Sequence, residues 1–335
     1  MSDAHWFWPV LSQTEGASVD RTVRKALISS LKALFVKAAG QIDSDGDRLH
    51  ALLGEIEVVP IRPAVFGLYT DLVEALFRND STALGSLGRQ LLDINPSGAG
   101  TRIVALTDQD LGAHQAERYA RLIDDDPNRP YGIRPLVHRY GEAYVSVSSA
   151  LTLLDEGVPE LAKEIRALVR EIVLVSDTKT NEPRSFDGAS TFYLWGAVFL
   201  NVGDATRLQL AQQIAHEAAH LLLFGLMVGQ PVTENDSEER FISPLRQDPR
   251  PMEGVVHAAY VLARMSYVLE RLLESERLLP AEQREAQELL ALHRKRFFDT
   301  LPVVMRHARF KPKAQTIFHG AIEYMNRNNA QAIAL

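Results

Sequence analysis

Arg207-Leu-Gln-Leu-Ala-Gln-Gln-Ile-Ala-His216-Glu217-Ala-Ala-His220-Leu-Leu-Leu-Phe-Gly225 is the stretch that governs how the whole chain is read. Asp204 or Thr206 can cap its start and Gly225 can stop it, which predicts a helix from about Thr206 to Phe224. Residues four apart on a helix lie about 40° from each other around its axis, so His216 and His220 project side by side and can share one metal ion. Glu217 points to the flank. That position suits touching a metal-bound water or hydrogen-bonding a ligand, but not joining both histidines on the ion. The competing reading is a buried helix face whose histidines are satisfied by hydrogen bonds, and it would be costly without polar partners among Ile214, Ala218 and Leu222.

A further ligand must come from elsewhere. Downstream the chain reads Phe241-Ile-Ser243-Pro-Leu-Arg246-Gln-Asp248-Pro-Arg250-Pro-Met-Glu253-Gly-Val-Val-His257-Ala-Ala-Tyr260, a Pro-stiffened turn feeding a helix at Pro251. Glu253 and His257 are again four apart, so either can reach the ion while the other orients it. Arg246 and Arg250 lie just before them.

Outward from this core the pattern is mostly helical. Val19, Val23, Leu27, Leu31, Leu34, Phe35 and Ala38 recur at helical spacing and Gly40 follows as a stop. Further helices are predicted over Tyr69 to Phe77, Leu84 to Leu92, Gln115 to Ile123 and Pro159 to Glu171, then from Pro251 into the Glu270 region, and from Pro280 onward. Short β-like runs stand at Glu57 to Ile61, Ile103 to Leu106 and Ile172 to Val175, with a longer one from Thr191 to Leu200. The acidic, Pro-rich stretch from Pro231 to Pro251 reads as irregular. The expected fold is therefore mainly α (α+β): a helical domain with a small sheet beside the helix that carries the motif. A helical region over 1–175, a metal-binding core over 176–270 and C-terminal helices over 271–335 are expected to make one integrated domain, since no linker or repeat divides the chain.

Several polar features read as ordinary surface. Asp43-Ser44-Asp45-Gly46-Asp47 has its glycine misplaced for an EF-hand, and Gly54 sits where the bidentate glutamate belongs. Asp124-Asp125-Asp126 reads as a loop end, Arg134, His138, Arg139 and Tyr144 as scattered surface or core positions, and His293 and His307 as exposed helix positions.

Composition removes other classes. Across 335 residues, 36 basic against 43 acidic side chains give a net charge of -7, so no general positive field attracts nucleic acid. Without cysteine there are no disulfides, thiolate ligands or thiol nucleophiles. No uncharged run reaches the roughly 18 residues that a membrane span needs, and the start lacks a basic region followed by an apolar one. A cytoplasmic protein without nucleic-acid or membrane partners is the expectation.

Two enzymes fit the motif. A zinc peptidase of gluzincin type would use His216, His220 and Glu253 as ligands, with Glu217 as general base on the metal-bound water. It leaves His257 and the two arginines without a task, and the downstream pattern is not that of metzincins. A third reading is a helical binding module in which the motif is a remnant.

Three segments also resemble the αKG-HExxH-type peptide β-hydroxylases. They are Ser190-Thr-Phe-Tyr-Leu-Trp-Gly-Ala-Val-Phe-Leu-Asn201, then His216-Glu-Ala-Ala-His220, then Ser243-Pro-Leu-Arg-Gln-Asp-Pro-Arg250-Pro with Gly254-Val-Val-His257-Ala. The resemblance runs from roughly Ser185 to Met265. It implies an iron(II), 2-oxoglutarate-dependent enzyme that uses O2 to hydroxylate a β-carbon of a precursor peptide in natural-product maturation. Its cosubstrate calls for a guanidinium, which Arg250, or else Arg246, supplies. One departure is the ligand set, because most such irons use two histidines and a carboxylate. His257 is preferred as third ligand, with Glu253 orienting it, since Glu253 falls in the first turn of its helix.

Overall fold

Apolar residues at helical spacing dominate the chain, and twelve α-helices form among the described residues. The computed structural model describes residues 12–42, 46–124, 131–136, 138–176, 186–228 and 230–332, with the side chains of 246–248 and 328–332 excepted. The N-terminal start, residues 43–45, Asp125, Asp126 and the Arg246 side chain, all singled out above, lie outside the described residues.

The chain begins with α1 (Gln13–Lys37), α2 (Gly46–Val58), α3 (Pro63–Phe77) and α4 (Ser81–Asp93), followed by β1 (Arg102–Ala105), α5 (Asp108–Leu111), α6 (Gln115–Ile123) and β2 (Arg134–Pro135). Next come α7 (Tyr140–Gly157), α8 (Pro159–Leu168), β3 (Glu171–Ser176), β4 (Gly188–Ala189) and β5 (Ala197–Asn201). The last third holds α9 (Arg207–Leu226), β6 (Phe241–Ser243), β7 (Arg246–Arg250), α10 (Met252–Glu274), α11 (Pro280–His307) and α12 (Pro312–Ala332). The fold is mainly helical with a small mixed sheet, as expected.

The chain divides into two compact units, each gathered from segments distant in sequence. Ala17–Val147 and Arg166–Ala205 make a sheet unit, and Met1–Gly16, Ser148–Ile165 and Thr206–Leu335 a helical unit. In the sheet unit β1, β3 and β5 run parallel, with Val104 beside Val173 and Val173 beside Phe199. β2 and β4 add antiparallel edges to β3 and β5. The run from Glu171 to Val175 is buried throughout, the signature of a parallel strand covered on both faces. Gly196 before β5 has φ +89°, and a Cβ there would meet the Leu168 carbonyl oxygen at 3.3 Å, so the turn that starts this strand requires glycine.

Three expectations need correction here. The run Glu57 to Ile61 is not a strand: α2 continues to Val58, burying Leu52, Leu53 and Ile56 at helical spacing, and Pro60 then prevents further helix. The long strand over Thr191 to Leu200 is really a 3-10 turn at Phe192–Leu194 followed by the shorter β5. The helix expected to reach Glu171 stops at Leu168, because Arg170 and Glu171 turn their backbone N–H groups to the Gly196 carbonyl and begin the sheet.

In the helical unit α9 opens with a capping box: the Gln209 N–H donates to Thr206 Oγ1, and the Thr206 N–H donates to Gln209 Oε1. Such a reciprocal cap satisfies two otherwise unpaired donors and fixes where the helix starts. The helix runs past Gly225, which is buried inside its last turn, and the C-cap is Met227 rather than the expected glycine. α10 and α11 are joined by residues 275–279, and so short a connection makes antiparallel neighbours. The stretch expected to be irregular contains the β6–β7 hairpin, in which Phe241 pairs with Arg250 and Ser243 with Arg246. The hairpin ends one residue before Pro251, the N-cap of α10, so β7 delivers Arg250 directly to the first turn of that helix.

Candidate metal centre

All the residues proposed for chemistry fall in the helical unit, on α9, β7 and α10. On α9, residues 216, 220 and 224 share one helix face, and their rings follow one another: His216 and His220 have centroids 5.0 Å apart, His220 and Phe224 6.3 Å. The Nε2 atoms of the two histidines approach to 3.3 Å. A tetrahedral ion with metal–nitrogen bonds of about 2.05 Å would hold two ligand nitrogens about 3.3 Å apart, so the helix already presents the pair at metal-sharing distance. The same separation also suits an Nε2–H···Nε2 hydrogen bond between unlike tautomers.

From α10, His257 stacks alongside His220 with centroids 6.0 Å apart and packs on Phe224 at 5.3 Å. It is buried, at 9% exposure, and its Nε2 makes no hydrogen bond. A buried ring nitrogen without a partner is rare and costs about 1–3 kcal/mol. Glu253 is exposed, and its Oε1 lies 3.8 Å from His257 Nε2, too long for a hydrogen bond. Of the two candidate third ligands, His257 is the one whose ring lies against His220. Among the described residues, however, no set of three or more His, Asp or Glu groups already converges as a metal cage. Two donors are in place and the third ring lies beside them.

The electrostatics suit neutral ligands. Burial pushes the His216 and His257 imidazoles down to about 4, although His216 keeps one edge open to solvent. The His220 imidazole is lowered well below its usual value by burial first, and then by His216, His257 and the Arg250 guanidinium. All three rings are uncharged at neutral pH and able to offer a lone pair. Donor chemistry, spacing and an orphaned buried nitrogen together fit a divalent transition metal.

No protein-family model matches this chain, and no curated protein does.

Arg250 lies at the end of β7, and its Nη1 donates to the Gly254 carbonyl at 3.4 Å. Its charge is the last and smallest of the four influences that lower the His220 imidazole. Glu217 is buried on the flank of α9 and already has a partner. The residues given the bland reading keep it: Arg134, His138 and Tyr144 are exposed, and Arg139 bridges Glu142 and Asp204 at the surface.

Sequence reading missed two residues. Phe224 forms an apolar plate against both His220 and His257, and its signal was the repeat of four that continues the motif. His293, expected on an exposed face, is instead half-buried on α11 with Nδ1 buried and unpartnered. His307 is exposed, as expected.

Proposed function

We propose that this protein is an iron(II)- and 2-oxoglutarate-dependent oxygenase that hydroxylates a β-carbon in a ribosomally made peptide. The observation that carries the reading is the meeting of three histidine rings, on α9 and in the first turns of α10, with the Arg250 guanidinium two residues ahead of α10. Hydrolysis gives such a guanidinium no task. An oxygenase of this kind must hold a flexible dicarboxylate next to its ion, and a guanidinium does so through two parallel charge-assisted hydrogen bonds.

In this reading His216, His220 and His257 hold the iron, and Arg250 takes the distal carboxylate of 2-oxoglutarate. Iron with this cosubstrate and O2 supplies the oxidising power for C–H hydroxylation. The chain's own contribution is placement. α9 fixes two imidazoles, Phe224 excludes water from one side, and the short link from β7 into α10 keeps Arg250 in register with His257. Glu217, buried and partnered, steadies the helix face from which the ligands project.

The zinc peptidase reading has one observation in its favour, because a 3.3 Å separation of Nε2 atoms is that of a tetrahedral ion. A binding experiment separates the two. Anaerobic addition of 2-oxoglutarate to the iron(II) protein should produce a charge-transfer absorption band, and Arg250→Lys should weaken that binding about tenfold while sparing the metal, since one ammonium cannot reproduce the bidentate pair. With O2 and the cognate peptide, succinate should form and the peptide should gain one oxygen atom. Peptide cleavage supported by zinc without 2-oxoglutarate would install the peptidase instead.

A further inference from the structure

A ligand histidine is ordinarily aimed by a hydrogen bond on its ring. His257 Nε2 is buried without one, and Glu253 Oε1 at 3.8 Å is too distant to supply it. The second side-chain torsion of histidine is a broad one, so the direction of this ring is set by what packs against it. Two rings do so. His220 lies alongside with centroids 6.0 Å apart and 28° between the planes, and Phe224 stands at 5.3 Å and 48°.

Phe224 in turn stacks on His220 at 6.3 Å, with 27° between the planes. The three rings close a triangle, and each side falls within the range of about 4.5–7 Å at which ring pairs attract. His220 and Phe224 stand one turn apart on α9, and His257 comes from α10, which packs against that helix. Filling the deep core is not the task of Phe224. Leu221, Leu222 and Leu223 beside it are at most 2% exposed, whereas Phe224 is only half-buried.

We propose that Phe224 is a positioning residue of the metal centre, its ring fixing the direction in which the His257 imidazole offers a lone pair to the ion shared by the pair on α9. The inference rests on the metal-binding reading, though not on which metal is held or which reaction follows. α9 then carries two ligands itself and aims the third, so the geometry of all three is referred to one rigid helix. A carbon wall of this kind restricts the imidazole without taking up its proton.

The test is cobalt(II) uptake by the full chain, followed by competition with a metal-binding dye and by the visible absorption of the bound ion. Phe224→Leu keeps apolar volume but removes the ring, and should weaken affinity about 3- to 10-fold, the worth of one aromatic pair. Its cobalt spectrum should move part of the way toward that of His257→Ala, as the third imidazole binds in only a fraction of the molecules. Phe224→Tyr retains the ring and should bind as the wild type does. In a His257→Ala background Phe224→Leu should cost no further affinity. Wild-type affinity or an unshifted spectrum in Phe224→Leu, an equal loss in Phe224→Tyr, or a further loss in the His257→Ala background would each overturn the proposal. If Phe224→Leu does not fold, Phe224→Met takes its place with the same expectations. Wild-type protein that takes up no cobalt would overturn the metal reading and this inference with it, whereas uptake indifferent to Phe224 would overturn this inference alone.

Discussion

The sheet unit and the helical unit both bury polar groups, but only the helical unit leaves imidazole nitrogens buried without a partner. In the sheet unit Glu171 is 1% exposed and receives Arg62 Nε at 3.2 Å, Arg102 Nη2 at 2.7 Å and the Tyr119 hydroxyl at 2.9 Å. Asp20 likewise takes Arg24 Nε at 2.9 Å and the Trp195 indole N–H at 3.1 Å. Arg170 leaves only Nε unpartnered, since its other guanidinium nitrogens donate to the carbonyls of Arg166 and Ala167. In the helical unit Arg264 Nη2 pairs with Glu164, whereas the imidazole nitrogens His257 Nε2 and His293 Nδ1 face protein with nothing to bond. A closed buried network holds the fold together, and on the proposed metal reading the open His257 imidazole serves as a donor.

Mutations should expose that difference. The largest effect is expected at the open cluster: His216→Ala and His220→Ala should each reduce metal affinity by more than about 100-fold, beyond the cost of losing an outer partner, with the helical circular dichroism unchanged. Full metal content in both variants by elemental analysis would end the metalloenzyme reading and make the histidines another closed network. The reverse behaviour is expected at Glu171. Glu171→Ala should strip the carboxylate from buried partners and cost about 3 kcal/mol in urea unfolding, while the metal content per folded molecule stays at the wild-type level.

Smaller contrasts sharpen the picture. His257→Ala should lose more metal than Glu253→Ala, because only His257 is buried with its ring against His220; the opposite ranking would move the third ligand to Glu253. The smallest effect is in pH. The His216, His257 and His293 imidazoles fall to about 4 when folded, against an ordinary value near 6.5. The unfolded chain therefore takes up their protons first, and stability that is complete above about 6.5 is lost as pH drops toward 4. For metal-free protein this amounts to about 1 kcal/mol per ring between pH 7 and 5.5, and less for the part-open rings. Urea midpoints that do not move over that range would show the rings to be better solvated than their surroundings indicate.

Much of this arrangement is legible in the sequence, and the parts that are not have physical causes. α9 can be read almost to the residue, because the Thr206 cap, the apolar spacing and the paired histidines all point to one helix. β1 and β3 stand out as short apolar runs. Their parallel pairing does not, because neighbours in a sheet are chosen by the path of the whole chain. Glu57 to Ile61 misleads because its first two residues extend an established helix to Val58, and Pro60 then breaks the run before a strand can form. His257 is legible from its spacing to Glu253. The burial of His293 is not, because it depends on the packing of α11 against α10, and no local periodicity reveals that.

On the proposed metal reading, the capped α9 helix acts as a two-armed chelator whose bite is set by helix pitch. Both arms are held before any ion arrives, so the ordering cost falls on folding, and one ion can replace another without rebuilding the helix. Imidazole donors at a fixed bite also follow the general affinity order of the divalent metals, in which copper, nickel and zinc all outrank iron(II). The occupant in a cell is then decided by supply more than by the site, and protein produced where zinc is abundant should emerge mismetallated, folded and inactive until the ion is exchanged.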